Sequence, residues 1–348
     1  MERTSEHIRV FEAFAGIGAQ AEALKELGLD YEVVGISEIN KDAITGYEAI
    51  HGPVRNYGDI RLMEKLPDCD LHTYSYPCTS VSISGKQEGM KEGTGTASSL
   101  VWEVGRLLKT ADHLPKYLVM ENVDAVLNYR NLDEFTKWMD MLKELGYTST
   151  YAILNAKDFD TPQFRKRCFM VSSLAKEKFI FPRGQMTTKC MRDILDPVVS
   201  DSYYLPFRKT VGYKEVHVKN ANGLIKTGDL ACYRYQHMNR VYSPRGIAPT
   251  VNTAQGGGRA VKIFLYYEAG DPVIRHLTPT EYFRLQGFPN DAIRRLTSVI
   301  KSKTRQYKLA GNSIPVGLLK AIFEGIYIKK TFRRHFEHTA LDEYFQSD

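Results

Sequence analysis

Ile8-Arg9-Val10-Phe11-Glu12-Ala13-Phe14-Ala15-Gly16-Ile17-Gly18-Ala19-Gln20-Ala21 decides the fold. An apolar strand run, Ile8–Phe11, enters a glycine turn and leaves it with Ala21, Leu24 and Leu27 at helical spacing, stopped by Gly28. A strand, a glycine turn and a helix form the opening unit of a nucleotide-binding α/β sheet. There the glycines let the backbone approach a ligand, and the helix N-terminus offers free N–H groups. Tight packing of strand on helix explains a lone Gly-x-Gly equally well, so the weight rests on the acids at the ends of the next elements. Tyr31-Glu32-Val33-Val34-Gly35-Ile36 is a second strand, and Glu38 comes after it about 20 residues past the glycines, where such sheets place an acid for ribose hydroxyls. A third element ends at Gly58-Asp59-Ile60, a second acid at a strand or loop edge.

Farther along, Leu71-His72-Thr73-Tyr74-Ser75-Tyr76-Pro77-Cys78-Thr79-Ser80 is an extended run that delivers one cysteine to a proline-stiffened turn. On its own Cys78 would pass for a small buried hydrophobe. The segment after it, 82–95, is polar and glycine-rich, too long for a simple connector, and is expected to act as a lid. Leu100, Val101, Val104, Leu107 and Leu108 share one face of an expected helix over Ser98–Leu108. The apolar strand Tyr117–Met120 then carries Glu121-Asn122-Val123 at its end, where open α/β sheets build their sites. A core-facing helix (Phe135, Trp138, Met139, Leu142, Leu145) precedes a hairpin, Thr150–Leu154 with Cys168–Val171, whose connection holds Gln163-Phe164-Arg165-Lys166-Arg167.

At 348 residues the chain exceeds a single core, which stops growing at about 250–300 residues, so two domains are expected. From Pro182 to Pro272 the composition turns to Gly, Tyr, Lys, Arg and Asn with short strands at best, so 183–272 is expected to be a smaller domain and 1–182 with 273–348 the larger one. Aromatics and cations interleave there (Tyr233-Arg234-Tyr235, Arg240-Val241-Tyr242), which suits nucleic acid, as does a net charge of +6. Thr278-Pro279-Thr280-Glu281 opens a capped helix, Leu319, Ile322, Phe323 and Ile326 make the last core helix, and Lys329–Arg334 is expected to be its solvated end. Five cysteines without Cys-x-x-Cys spacing argue against disulfides and zinc, and no apolar stretch suits a membrane span or signal peptide, so a soluble cytoplasmic protein is expected.

In this order, over nearly all of residues 8–328 outside the variable middle, the motifs resemble the DNA (cytosine-5) methyltransferase family, its bacterial, mollicute and phage branch most closely. The resemblance implies a Rossmann-like S-adenosylmethionine-dependent methyltransferase sheet with a smaller target-recognition domain at 183–272. It implies a cofactor site of Phe14, Gly16, Ile17, Gly18, Glu38, Ile39, Asp59, Ile60, Pro77, Leu100, Asn312 and Ser313, with S-adenosylhomocysteine as product and no metal. Cys78, Glu121, Arg165 and Arg167 match the catalytic motifs; Ser80, Ser84, Lys86, Gln163, Arg234, Arg240 and Thr250 are the expected DNA contacts. Arg284-Leu285-Gln286-Gly287-Phe288-Pro289 matches the motif that supports the recognition domain, and Val251 stands where a Thr-Leu element usually has Leu. Thr79 and Ala97 depart from the family's usual residues, both beside the expected lid.

By that resemblance a Cys78 thiolate adds to carbon 6 of a flipped-out cytosine, and Glu121 delivers or shares a proton at the ring nitrogen. Arg165 and Arg167 hold Glu121, the base's carbonyl oxygen and the closed loop. The implied partner is double-stranded DNA, met by a monomer at the nucleoid, with a restriction endonuclease as a genetic associate at most. The family's tRNA-directed minority ranks second, because the Cys-Phe-Thr signature is missing and a full variable domain is present. A non-catalytic DNA-binding relative ranks third, since it would have lost Cys78, Glu121 or the arginines, and a dinucleotide dehydrogenase leaves those motifs unexplained.

Overall fold

The computed structural model describes residues 7–77, 90, 91, 93–206, 210, 212–254, 259–265 and 273–334. Strands β1 (Ile8–Ala13), β2 (Tyr31–Ser37), β3 (Leu71–Tyr74), β4 (Tyr117–Val123), β5 (Thr148–Asn155) and β6 (Lys166–Ser173) form one sheet in the order β2-β1-β3-β4-β6-β5. The first four run parallel; β6 is antiparallel to both β4 and β5. The inner strands are almost wholly buried, β3 at every position, because helices cover both faces, whereas the edge strand β5 keeps Tyr151 and Ile153 exposed. In β4, Val119 belongs to one buried cluster and Leu118 and Met120 to the other; Val171 and Met170 of β6 divide the same way.

One face is covered by α1 (Ala19–Glu26), α2 (Lys41–His51) and helices from the far end of the chain: α5 (Pro279–Leu285), α6 (Asn290–Val299), α7 (Lys303–Asn312) and α8 (Val316–Phe323). The other carries α3 (Val101–Lys109) and α4 (Tyr129–Glu144), whose Val104, Leu108, Trp138 and Leu142 are all but inaccessible. Asn40 caps α2 by accepting from the Asp42 and Ala43 amides, so the chain leaving β2 turns at the sheet's C-terminal edge.

Between the two halves of that layer, β8 (Lys214–Lys219), β9 (Ile225–Asp229), β10 (Arg240–Tyr242), β11 (Lys262–Leu265) and β12 (Val273–His276) form a second sheet in the order β12-β11-β10-β9-β8. Its core is small: Leu230, Val241, Phe264 and Ile274. β12 lies past residue 272 yet pairs with β11, so the sheet runs four residues beyond the expected boundary before Thr278 caps α5 in a reciprocal box with Glu281.

The end of the described chain corrects one expectation. Lys329–Arg334 is not a solvated helix end: Phe332–Arg334 is a strand, β13, antiparallel to β7 (Glu177–Phe179). Lys330 takes a left-handed φ of 48° and turns the chain back, so the Phe332 ring stacks on Tyr117 at 5.6 Å and meets Phe179 edge-on at 5.4 Å. One aromatic among the cations has an apolar seat to fill, and burying it outweighs continuing the helix.

Candidate active site

The C-terminal ends of β1 to β4 open into a cavity of about 350 Å³, within the range of small-molecule sites. Phe14 and Gly16 make its floor turn in left-handed conformations, φ 56° and 59°. Glu38 locks that turn: one carboxylate oxygen accepts from the Gly16 amide at 2.9 Å, the other from the Ile39 and Asn40 amides at 2.9 and 2.8 Å. The Asn56 side chain bonds both the amide and the carbonyl of Glu38, which fixes the backbone beneath the carboxylate. Asp59 caps the Ile60–Leu62 turn and chelates the Arg61 guanidinium, which holds its carboxyl below the ordinary range.

Of the expected cofactor residues, Phe14, Gly16, Ile17, Glu38, Ile39, Asp59, Ile60, Pro77, Leu100, Asn312 and Ser313 line this one cavity. Gly18 does not. At φ 76° it starts α1, and a Cβ there would lie 2.5 Å from His51 Nε2. Its need for glycine comes from that left-handed φ and from the close approach of His51 and Tyr47.

The same cavity holds Glu121, Arg165 and Arg167. Arg167 Nε lies 3.0 Å from Glu121 Oε1, both side chains largely buried. Burial raises the Glu121 carboxyl, opposed by the charges of Arg167 and Arg165. Burial outweighs them, leaving a carboxyl able to carry a proton nearer neutrality than an exposed glutamate can. Antiparallel pairing explains the meeting: β6 sets Phe169 opposite Glu121, so the start of β6 lies beside the end of β4.

Arg165 sits deeper than Arg167, donating to the carbonyls of Val251, Gly311 and Ser313 at 2.9, 3.0 and 2.9 Å. Gln163, expected at the DNA, is fully buried. Its amide donates to Leu285 O at 2.7 Å and accepts from the Val251 amide at 3.0 Å, so it faces the protein interior, not a duplex. Thr250 is exposed with its hydroxyl on Phe164 O, and Arg234 and Arg240 are exposed on the second sheet's side. Cys78, Ser80, Ser84, Lys86, Thr79 and most of the expected lid fall outside the described residues.

The backbone leading to Cys78 is described, and its anchors escaped the sequence reading. Ser98 donates to Pro77 O at 2.7 Å, and the Asn122 amide donates to Tyr76 O at 3.0 Å. A signal existed for Asn122: an asparagine within a buried strand end must find partners.

Behind the floor turn, Glu12 of β1 has no accessible surface, with the Tyr47 hydroxyl beside it. Burial pushes its carboxyl up to about 8 from an ordinary value of 4.5. Stability tied to this neutral acid is fully present below the unfolded value and lost as pH rises through the folded one. Glu12→Gln is therefore expected to flatten stability between about pH 4.5 and 8. Urea melts at pH 5 and pH 8 check this: an unchanged gap between the two midpoints contradicts it.

Among the described residues no cluster of His, Cys, Asp and Glu could hold a metal ion, and no helix is long and apolar enough to cross a membrane. A family model described as C-5 cytosine-specific DNA methylase matches residues 8–327. The orphan methyltransferase M.SssI of Spiroplasma monobiae is 33% identical over 94% of this chain and 99% of its own length. The type II methyltransferase M2.ScrFI of Lactococcus lactis subsp. cremoris is 31% identical over 92% and 99%. Among solved structures, the S. pombe Dnmt2 methyltransferase superimposes with a TM-score of 0.68 at 19% identity, covering 93% of this chain and 99% of its own, which shows a shared fold. On the match along almost its whole described length, the chain belongs to the C-5 cytosine-specific DNA methylase family.

Proposed function

We propose that this chain methylates carbon 5 of a cytosine extruded from duplex DNA, with Cys78 as nucleophile and S-adenosylmethionine in the cavity. The observation that carries the reading is the Glu121–Arg167 pair in the same cavity as Glu38 and Asp59, with the backbone into Cys78 pinned beside it. The donor set suits the methyl donor: two carboxylates for hydroxyl and amino groups, an aromatic at Phe14, and apolar Ile60 and Leu100. When bound, S-adenosylmethionine supplies an electrophilic methyl on a positively charged sulfur.

The rest is work for the chain's own groups. Cys78 sulfur bonds to carbon 6, and the electron pair of the 5,6 double bond becomes available at carbon 5. Glu121 holds a proton at the ring nitrogen so that no full anion forms there, and Arg167 keeps that carboxyl aimed. Loss of the carbon 5 proton to a base then restores the double bond as the sulfur leaves. Extruding the base costs on the order of a few kcal/mol, offset by contacts in the closed site. Residues 183–272, with the adjoining strand β12, are the segment proposed to choose the target, through Arg234, Arg240 and their tyrosines.

Expression in a methylation-free host followed by bisulfite sequencing of its DNA tests the reading. Methylated cytosines in one short sequence context are expected; unmodified DNA alongside methylated tRNA favours the RNA-directed alternative. For the cofactor, Glu38→Ala is expected to weaken S-adenosylmethionine binding by about 1.5–3 kcal/mol, the worth of charge-assisted bonds. Unchanged affinity by calorimetry moves the cofactor elsewhere.

A further inference from the structure

Arg165 touches two loops that belong to different tasks. Its guanidinium donates to Gly311 O and Ser313 O, the carbonyls on either side of Asn312, whose exposed side chain faces the cavity. The same guanidinium donates to Val251 O, in the run that returns from the second sheet. That run is fastened nearby as well: the Ala248 amide donates to Pro162 O at 2.8 Å, the Phe164 amide to Ala248 O at 2.8 Å, and Thr250 Oγ1 to Phe164 O at 2.6 Å. Gly311 lets the two loops touch: a Cβ there would stand 2.5 Å from the Asn252 carbonyl. Neither loop can move without disturbing the other through Gly311 and this one side chain.

From this geometry we infer that Arg165 is a positioning residue that couples filling of the cofactor cavity to the grip of the recognition segment on DNA. The inference rests on the function proposed above. A planar fork holding three carbonyls at once defines one relative placement of the loops, whereas an ammonium on a flexible stem does not. A ligand against Asn312 and Ser313 favours that placement, and so does a duplex drawn against Thr250. Each ligand then prepares the protein for the other, by the same factor in both directions.

The test is a binding cycle. The dissociation constant for a 30-base-pair duplex carrying the sequence mapped by bisulfite conversion is measured by fluorescence anisotropy, with and without saturating S-adenosylhomocysteine. Calorimetry measures the converse. For the wild type the cofactor product is expected to tighten DNA binding roughly 10-fold, within the usual span of allosteric coupling. In Arg165→Lys that ratio is expected to fall below about 2-fold. A purely structural role lowers the melting temperature and both affinities but leaves the ratio standing, so the ratio separates the two.

Should Arg165→Lys not fold, Thr250→Val serves, since Thr250 is exposed and fastens the run from its other side; its ratio is expected to drop as well. A ratio kept at the wild-type value in the folded variant overturns the coupling. A wild-type ratio of one in protein that methylates DNA also overturns it, and leaves the enzymatic reading untouched. Wild-type protein that neither binds nor methylates duplex DNA sinks that reading, and this inference with it.

Discussion

Cys78→Ala is expected to lower methyl transfer by at least ~10³-fold while leaving the protein folded. Carbon 5 of cytosine is a poor nucleophile, so without sulfur at carbon 6 no electron pair is released toward the methyl group. In the proposed mechanism no other group replaces that step, since Glu121 and Arg167, paired at 3.0 Å, are assigned the proton and its orientation. The fold should survive because the backbone leading to Cys78 is held by neighbours: Ser98 on Pro77 O and Asn122 on Tyr76 O. Radiolabelled methyl incorporation reads the activity, and a thermal melt reads the fold. A second readout is chemical. DNA containing 5-fluorocytosine should trap the wild type in a denaturation-resistant adduct, because fluorine cannot leave as a cation, and should not trap the alanine variant. Surviving activity would make Cys78 a packing residue and end the covalent mechanism.

Glu281→Ala is expected to cost about 3–5 kcal/mol of stability, because it strands a buried guanidinium. Glu281 has no accessible surface and accepts from Arg275 Nη1 and Nη2 at 2.9 and 2.7 Å, from the Thr278 amide at 2.7 Å and from the Asp196 amide at 2.9 Å. Arg275 lies in β12 of the second sheet and Glu281 in α5, so the pair sets how that sheet joins the helices over the six-stranded sheet. Removing one partner leaves the other charged and dry; replacing both by apolar residues of like size removes the demand. The double variant Arg275→Met with Glu281→Leu should therefore recover most of the loss. Urea unfolding of the three proteins decides it: a single variant within about 0.5 kcal/mol of wild type would show that water reaches the pair.

The parallel sheet was legible because β1, β2 and β4 are apolar runs with Gly16, Glu38 and Glu121 at or near their C-terminal ends, and parallel pairing through β3 sets those ends on one edge. Glu38 and Glu121 meet there for that reason, and Asp59 joins them as the cap of the Ile60–Leu62 turn. What periodicity could not convey was depth. Gln163, Arg165 and Arg167 alternate along one extended segment, yet Gln163 is sealed inside, Arg165 lies beneath two loops, and Arg167 pairs with Glu121 at 3.0 Å. The carbonyls around Gln163 and Arg165 come from Leu285, Val251, Gly311 and Ser313, separations no local pattern encodes. The second sheet was illegible for a different reason. Its outer strand Lys214–Lys219 is exposed at every position, so it has no buried face to impose alternation. Strand β13 depended on a single ring, Phe332, in a stretch otherwise marked by charge.

Covering one face of the sheet from both ends of the chain has a consequence for synthesis. Ala23 and Leu24 of α1 share a buried cluster with Leu319 and Ile322 of α8, almost 300 residues later. A ribosome delivers α1 first, and nascent domains ordinarily fold as they emerge, at about 5–20 residues per second. Here the first half of the layer must wait some tens of seconds with apolar surface bare until α5 to α8 arrive. The helix that carries Asn312 arrives in that same late segment, so a half-translated chain lacks one wall of the cavity that holds Glu38, Asp59 and Glu121.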